Sequence, residues 1–301
     1  MNYFYQYQGE FYALLTAVFW TVTALAFEWA SLRVGSLSVN IIRLVFALLL
    51  LSLVTGITRQ KFLPTDATIH NWVWMSVSGF IGFVLGDLFL FKSYTLIGSR
   101  YSMLIMSLVP PLAAFFGFFI LGEKLGVMSL VGMAVTLFGI SLAIFNRHES
   151  KKRIALKIAP RGILYAFAGA VGQALGLVIS KYGMAGYNSF AANQIRIITG
   201  IVGFAILITV LRHWTKIFSA FKNKSAMAGI GIGAFFGPFL GVSLSLLSIV
   251  YTKTGIASTI MSLVPILILP PAIIFFKQKV NMLELIGAII SFIGVSLFFM
   301  A

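Results

Sequence analysis

The chain has 301 residues, 60% of them hydrophobic and only 10% charged, with a mean hydropathy of +1.02. A soluble domain is about half apolar and a quarter charged, so water is excluded as the solvent for most of this surface. The formal charge of +15 would suit nucleic acid, but the basic residues fall in short gaps between apolar runs. That pattern belongs to membrane-protein loops facing anionic headgroups and points away from nucleic acid.

The absence of cysteine rules out disulfides and thiolate metal sites. The opening MNYFYQYQGE has no basic stretch ahead of its apolar run. It is expected to begin the mature protein, not a cleaved signal peptide.

A membrane-crossing helix needs about 20 mostly apolar residues. Ten segments meet that requirement: 10–31, 37–56, 71–93, 99–121, 126–146, 161–181, 189–211, 226–250, 255–276 and 281–300. Most connections are short, so successive spans are expected to pack as antiparallel neighbours. Two are long and polar, NRHESKKRIALKIAP at 146–160 and RHWTKIFSAFKNKS at 212–225. The first divides the chain into residues 1–146, a basic linker 147–160, and residues 161–301.

The hexapeptide IMSLVP stands at Ile105–Pro110 and again 155 residues later at Ile260–Pro265. The same shift carries Gly86 to Gly241, Lys124 to Lys279, Gly132 to Gly287, Gly139 to Gly294 and Ser141 to Ser296. Nearer the start the shift is 153, carrying Gly9 to Gly162 and N-I-I-R at 40–43 to N-Q-I-R at 193–196. Register held through five helices indicates tandem duplication. Because five is odd, the copies must cross the membrane in opposite senses. The expected fold is therefore an all-α integral membrane protein of ten transmembrane helices, arranged as an inverted five-plus-five repeat. That is a common construction of secondary transporters, whose sites lie near the midplane between repeats.

The stretch GDLFLFKSYTLIGSRYSMLIMSLVPPLAAFFGFFILGEKLGVMSLVGMAVTLFGISLAIF, residues 86–145, resembles the EamA-type repeat of the drug/metabolite transporter superfamily. The shared features are a proline in the fourth helix, Gly-Glu after it and glycine spacing in the fifth. Trp20 and Arg43 also fit. The second copy departs, with Lys277-Gln278 where the first has Gly122-Glu123. The resemblance implies ten helices around a central cavity and export or exchange of small metabolites by alternating access. It leaves open amino acids, nucleotide sugars, drugs and lipid-linked sugars. It also implies cytoplasmic termini, whereas Lys and Arg concentrate in the odd-numbered gaps and put the termini outside.

Two acids lie well inside apolar segments, Glu28 and Asp87. An ionisable group at membrane depth costs roughly 3 kcal/mol and faces a cavity or a partner. Glu28, Asn40, Arg43, Asp87, Lys92 and Arg100 are expected near one face. Lys181, Asn193, Arg196 and Lys253 are expected near the other, as a purely basic group. Glu28 and Asp87 read first as static pairs, Glu28 with Arg43 and Asp87 with Lys92, then as gate residues, and last as proton sites. Lys181 is taken as a gate residue with them.

Pro110 and Pro265 each remove a helix hydrogen bond, and Ser107 and Ser262 lie about one turn earlier. These two positions are expected to form cavity walls and hinges, or else plain packing kinks. Trp20 and Gln173 correspond by the 153 shift, midway along the first helix of each copy. Together with Tyr94, Asn193 and the residues above they complete the expected substrate-binding set: Trp20, Asn40, Arg43, Tyr94, Ser107, Gln173, Asn193, Arg196 and Ser262. Ser78, Gly82 and Gly86, with Gly229, Gly233, Gly237 and Gly241, recur every four residues and predict close helix packing.

No catalytic, cofactor or metal role is expected. His70, His148 and His213 lie at loops or helix ends without spaced ligand partners, and no phosphate-binding loop is present. The reading is a multi-pass carrier in the plasma membrane (a cell inner membrane) among lipid, with a small-molecule substrate. Amino acids come first, phosphorylated or lipid-linked substrates second, and a non-transporting scaffold or receptor is the other class. Oligomeric state is not readable.

Overall fold

A computed structural model of the chain describes residues 5–145, 160–268, 270–271 and 282–299. In the first half the helices are α1 (Gln8–Val34), α2 (Ser36–Arg59), α3 (Ile69–Gly79), a π-helical segment π1 (Phe80–Gly86), α4 (Asp87–Met106), α5 (Val109–Leu121) and α6 (Val127–Phe145). In the second they are α7 (Pro160–Met184), α8 (Ser189–Val210), α9 (Trp214–Ala220), α10 (Lys224–Ala234), π2 (Phe235–Gly241), α11 (Val242–Tyr251), α12 (Thr254–Met261), α13 (Val264–Leu267) and α14 (Met282–Ser296). Among the described residues, seven apolar helical stretches are at least 18 residues long and three more, Val109–Leu121, Val127–Ala143 and Thr254–Leu267, are shorter. These stand at the ten expected spans.

The outer surface shows why lipid is the solvent. On α2, Leu49, Leu53 and Ile57 are 58%, 57% and 82% exposed, and on α8 their duplicates Val202, Ile206 and Val210 are 53%, 61% and 74% exposed. Residues four apart share one helix face, so each helix presents a continuous apolar stripe outward. The opposite faces bury Leu44, Ala47 and Leu51 on α2, and Ile197, Phe204 and Ile208 on α8. At 1.5 Å per residue, 24-residue α2 is about 36 Å long, enough to cross a hydrocarbon core of about 30 Å.

Two tight connections set the topology. Gly35 alone joins α1 to α2, with φ +80°, a conformation that side chains with a Cβ rarely adopt. Within α4, the Ser93 hydroxyl donates to the Ser102 hydroxyl at 2.7 Å. Nine residues of straight helix would separate those positions by about 13 Å. The chain therefore doubles back between them, which is the expected junction of the third and fourth spans.

Helix contacts repeat under the internal pseudo-twofold. Gly82 lies against Gly176, Gly86 against Gln173 and Gly183 against Trp74; their duplicates pair Gly237 with Thr23, Gly241 with Trp20 and Gly229 with Ala30. Between α6 and α14, Gly132 meets Gly294 and Gly139 meets Gly287, so the operation exchanges one contact for the other. Here a β-carbon on Gly139 would stand 2.6 Å from the Gly287 carbonyl oxygen, so the backbones touch and neither position admits a side chain. The two π segments are themselves 155 residues apart.

Two expectations need correction. The prolines do not kink the middle of a helix. The helices break at Ser107–Leu108 and Ser262–Leu263, and Pro110 and Pro265 sit second in α5 and α13, where a missing N–H costs little. The Ser262 hydroxyl bonds Thr259 O at 2.6 Å and does not serve the carbonyl freed by Pro265. The stretch read as a polar loop at 212–225 contains α9, which buries Ile217 and Ala220 and stacks the exposed Phe218 on Trp214. It is an amphipathic turn at the membrane interface.

Candidate functional site

The inverted repeat brings polar side chains of both copies to mid-depth. Arg43 and Arg196 each stand seven residues inside their helices, α2 and α8, roughly 10 Å from opposite faces. Asp87 follows directly on π1 and forms an ion pair with Arg43. Gln173, midway along α7, donates from Nε2 to Asp87 Oδ1 at 3.1 Å and to Gly82 O at 3.2 Å. The wide i→i+5 pattern of a π segment displaces carbonyls from the regular ladder, and Gln173 takes up the one at Gly82. The Arg196 guanidinium lies 4.9 Å from the Phe83 ring centre and against the open side of Gly82. Arg43 lies 5.2 Å from the Phe27 ring in the same manner.

The cluster is buried and electrostatically unbalanced. Asp87 is 8% exposed and Arg196 6%. Two guanidiniums face one carboxylate, and the carboxylate is engaged by Arg43. Among the described residues Arg43 Nε, Arg196 Nε, Asn40 Oδ1 and Asn193 Oδ1 have no hydrogen-bond partner. The N-x-x-R element of each copy thus carries the same two unpartnered atoms. Asn193 anchors its own helix by donating to Pro238 O in π2 at 2.7 Å and to Ser243 Oγ at 3.0 Å.

A second set of polar contacts ties the copies together at one face, where α1 begins and where α7 meets α8. Glu123, just after α5, accepts from Lys181 Nζ at 2.6 Å, and from Thr254 N and Thr254 Oγ1 at 2.7 Å each. This group floors an open depression of about 500 Å³ rimmed by Tyr251, Thr252 and Lys253. Nearby, Thr252 donates to Glu10 at 2.6 Å. The α2–α3 loop is held by Asp66, which bonds Arg59 at 2.6 Å and the Tyr187 hydroxyl at 2.8 Å. The Tyr187 hydrogen bond, with Lys61 and Arg59, holds the Asp66 carboxyl below its ordinary value, and burial pushes the Tyr187 phenol up.

Of the residues singled out in the sequence, the structure gathers Arg43, Asp87, Gln173 and Arg196, with Asn40 and Asn193 one turn away along α2 and α8. Trp20 packs its indole against Gly241, as Gln173 does against Gly86. Ser107, Ser262, Pro110 and Pro265 mark the helix breaks. Lys181 is not in a purely basic group, because Glu123 neutralises it. Sequence reasoning noticed the Gly-Glu pair but not its partner, since the contact joins residues 58 apart. Asp87 pairs with Arg43, not along its own helix with Lys92. The side chains of Glu28, Tyr94 and Arg100, together with Lys277 and Gln278, lie outside the described residues.

Comparison with known proteins agrees with this architecture. The family model of the EamA-like transporter family matches residues 7–145 and again 160–300. A protein of Clostridium kluyveri described as an uncharacterized transporter is 28% identical over 179 residues, 60% of this chain and 56% of its own length. The chain thus spans little more than half of that relative. A Sinorhizobium protein described as an uncharacterized transporter in the cobO 3′ region is 28% identical over 45% of this chain and 96% of its own. A solved structure superposes with a TM-score of 0.72 at 17% identity, over 97% of this chain and 96% of that one, which is a likeness of fold. With both halves matched, the chain belongs to the EamA-like transporter family of multi-pass membrane proteins.

Proposed function

We propose that this transporter exports or exchanges a small polar metabolite, amino acids first, across a plasma membrane by alternating access around the mid-depth cluster. The observation that carries this reading is the composition of that cluster. Two arginines, one carboxylate and an amide from four different helices converge where an apolar packing seam would cost less. Buried charges at this depth mark solute paths, and a zwitterion matches a site that holds both signs. The shared N-x-x-R element contributes one arginine from each face, as a site visited from both sides requires. Phosphorylated substrates lose the support of a basic face, because Lys181 is neutralised by Glu123.

The test is counterflow in proteoliposomes with a panel of labelled amino acids, with and without a pH gradient, and with Arg43→Ala as control. Saturable exchange that disappears in the variant is the expected result. Folded protein that moves nothing across the panel removes the amino-acid reading, and tight retention of a protein partner without transport favours a scaffold.

A further inference from the structure

The two copies differ in the charge that accompanies their shared arginine. Arg43 meets Asp87, but the duplicate of Asp87 is Val242, so Arg196 has no internal acid in the equivalent place. Val242 is buried, and its neighbour Ser243 is hydrogen-bonded to Asn193, one turn from Arg196 on α8. The two ends of the substituted position are thus held together across α8 and α11. Arg196 is itself more than nine-tenths buried, is flanked by Phe83 and Gly82, and keeps an unpartnered Nε.

From the juxtaposition of Arg196, Asn193 and Val242 we infer a binding site for one carboxylate group, which takes towards Arg196 the part that Asp87 plays towards Arg43. This rests on the transport reading and names the substrate group that the mid-depth cluster receives. Charge selects the class. With Asp87 ionised against Arg43, the cluster carries one uncompensated positive charge. A carboxylate brings it to neutrality, whereas a phosphate dianion leaves an excess negative charge in a low-dielectric interior, where it is costly. A guanidinium also matches a carboxylate with two parallel N–H donors.

Thermal unfolding of the purified protein in nanodiscs tests this directly, using sodium acetate, glycine, methylammonium chloride and inorganic phosphate at matched ionic strength. Acetate and glycine are expected to raise Tm in a saturable manner, and methylammonium is not. Arg196→Gln is expected to weaken the carboxylate effect at least tenfold, and Arg196→Lys to weaken it less. Val242→Asp, which gives Arg196 an internal acid as in the first copy, is expected to abolish carboxylate binding while leaving the protein folded.

Carboxylates without effect on the wild-type protein overturn the inference, as does a carboxylate effect that survives both Arg196→Gln and Val242→Asp. Phosphate acting in place of acetate overturns the assignment of class. Counterflow of any solute in a protein that binds no carboxylate keeps the carrier reading and removes this one. Carboxylate binding without counterflow does the reverse.

Discussion

Removing the charge of Glu123 should open one face of the transporter, and the structure allows the size of the effect to be worked out. The carboxylate accepts three hydrogen bonds, one from the Lys181 ammonium and two from Thr254. In Glu123→Gln the shape is kept and the amide oxygen still accepts from Thr254, but the charge-assisted bond to Lys181 is lost. Such a bond is worth about 1.5–3 kcal/mol, and the Lys181 side chain is 25% exposed, which screens part of it. A net loss of about 2 kcal/mol corresponds to roughly a 30-fold rise in the open population. The chain has no cysteine, so a single introduced thiol reports cleanly. Ser258→Cys is suitable, since Ser258 is 4% exposed and lies one turn beneath Thr254, to which its hydroxyl bonds. Maleimide labelling in proteoliposomes is expected to be about 30-fold faster with Glu123→Gln than without it. Ser291→Cys, buried between α6 and α14, should label slowly in both. Equal rates at Ser258→Cys refute the gate and leave a static tie, and acceleration at both sites means that the whole protein has loosened.

Further outcomes follow from the contacts. Asp87→Ala leaves Arg43 buried and uncompensated and should cost about 3–5 kcal/mol, read as a lowered Tm; Arg43→Gln combined with Asp87→Asn should recover more than half of it. Gly287→Val forces a β-carbon 2.6 Å from both Ala143 N and Gly139 O and should abolish cooperative melting. Gly231→Ala, with no atom within 4 Å of its β-carbon, should change stability by less than about 1 kcal/mol, with the better helix former favoured. Asp66 is depressed in the folded protein, so its contribution is complete above the ordinary carboxyl value of 3.8 and is lost as pH falls below it. The Tm difference between wild type and Asp66→Asn should therefore shrink to nothing under acid.

The spans, their inversion and the glycine seams were legible because each is a property of register. Gly139 lies against Gly287, and their register partners Gly294 and Gly132 lie against one another, so the pseudo-twofold exchanges the two contacts. Arg43, Asp87, Gln173 and Arg196 were legible as candidates because a charge or amide inside an apolar run is rare. Their partners were not legible. Arg43 could pair with Glu28 or Asp87, and only the π segment, which no composition signals, settles how Asp87 is presented. The Glu123–Lys181 contact spans 58 residues and follows from how α5 lies along α7. The amphipathic α9 was hidden by its length, since seven residues give too short a pattern to separate from a polar loop.

The charge differences between the copies suggest how a symmetric scaffold acquires a preferred state. The duplicates of Lys181 and Glu123 are Glu28 and Gln278, which enter here by sequence register alone. By register, the ion pair of Lys181 and Glu123 is matched in the other copy by an acid and an amide. Under the proposed alternating access, the second full charge adds about 1 kcal/mol to a partly exposed pair, enough to bias alternation about 5-fold toward the state closed over Glu123. Gln278→Lys gives both copies an acid and a lysine at the matching positions. Maleimide labelling at Ser258→Cys is then expected to rise in a protein whose Glu123 is untouched, because strengthening one closure can only weaken the relative population of the other. An unchanged rate would mean that the faces do not compete, and that the inverted repeat serves packing and not alternation.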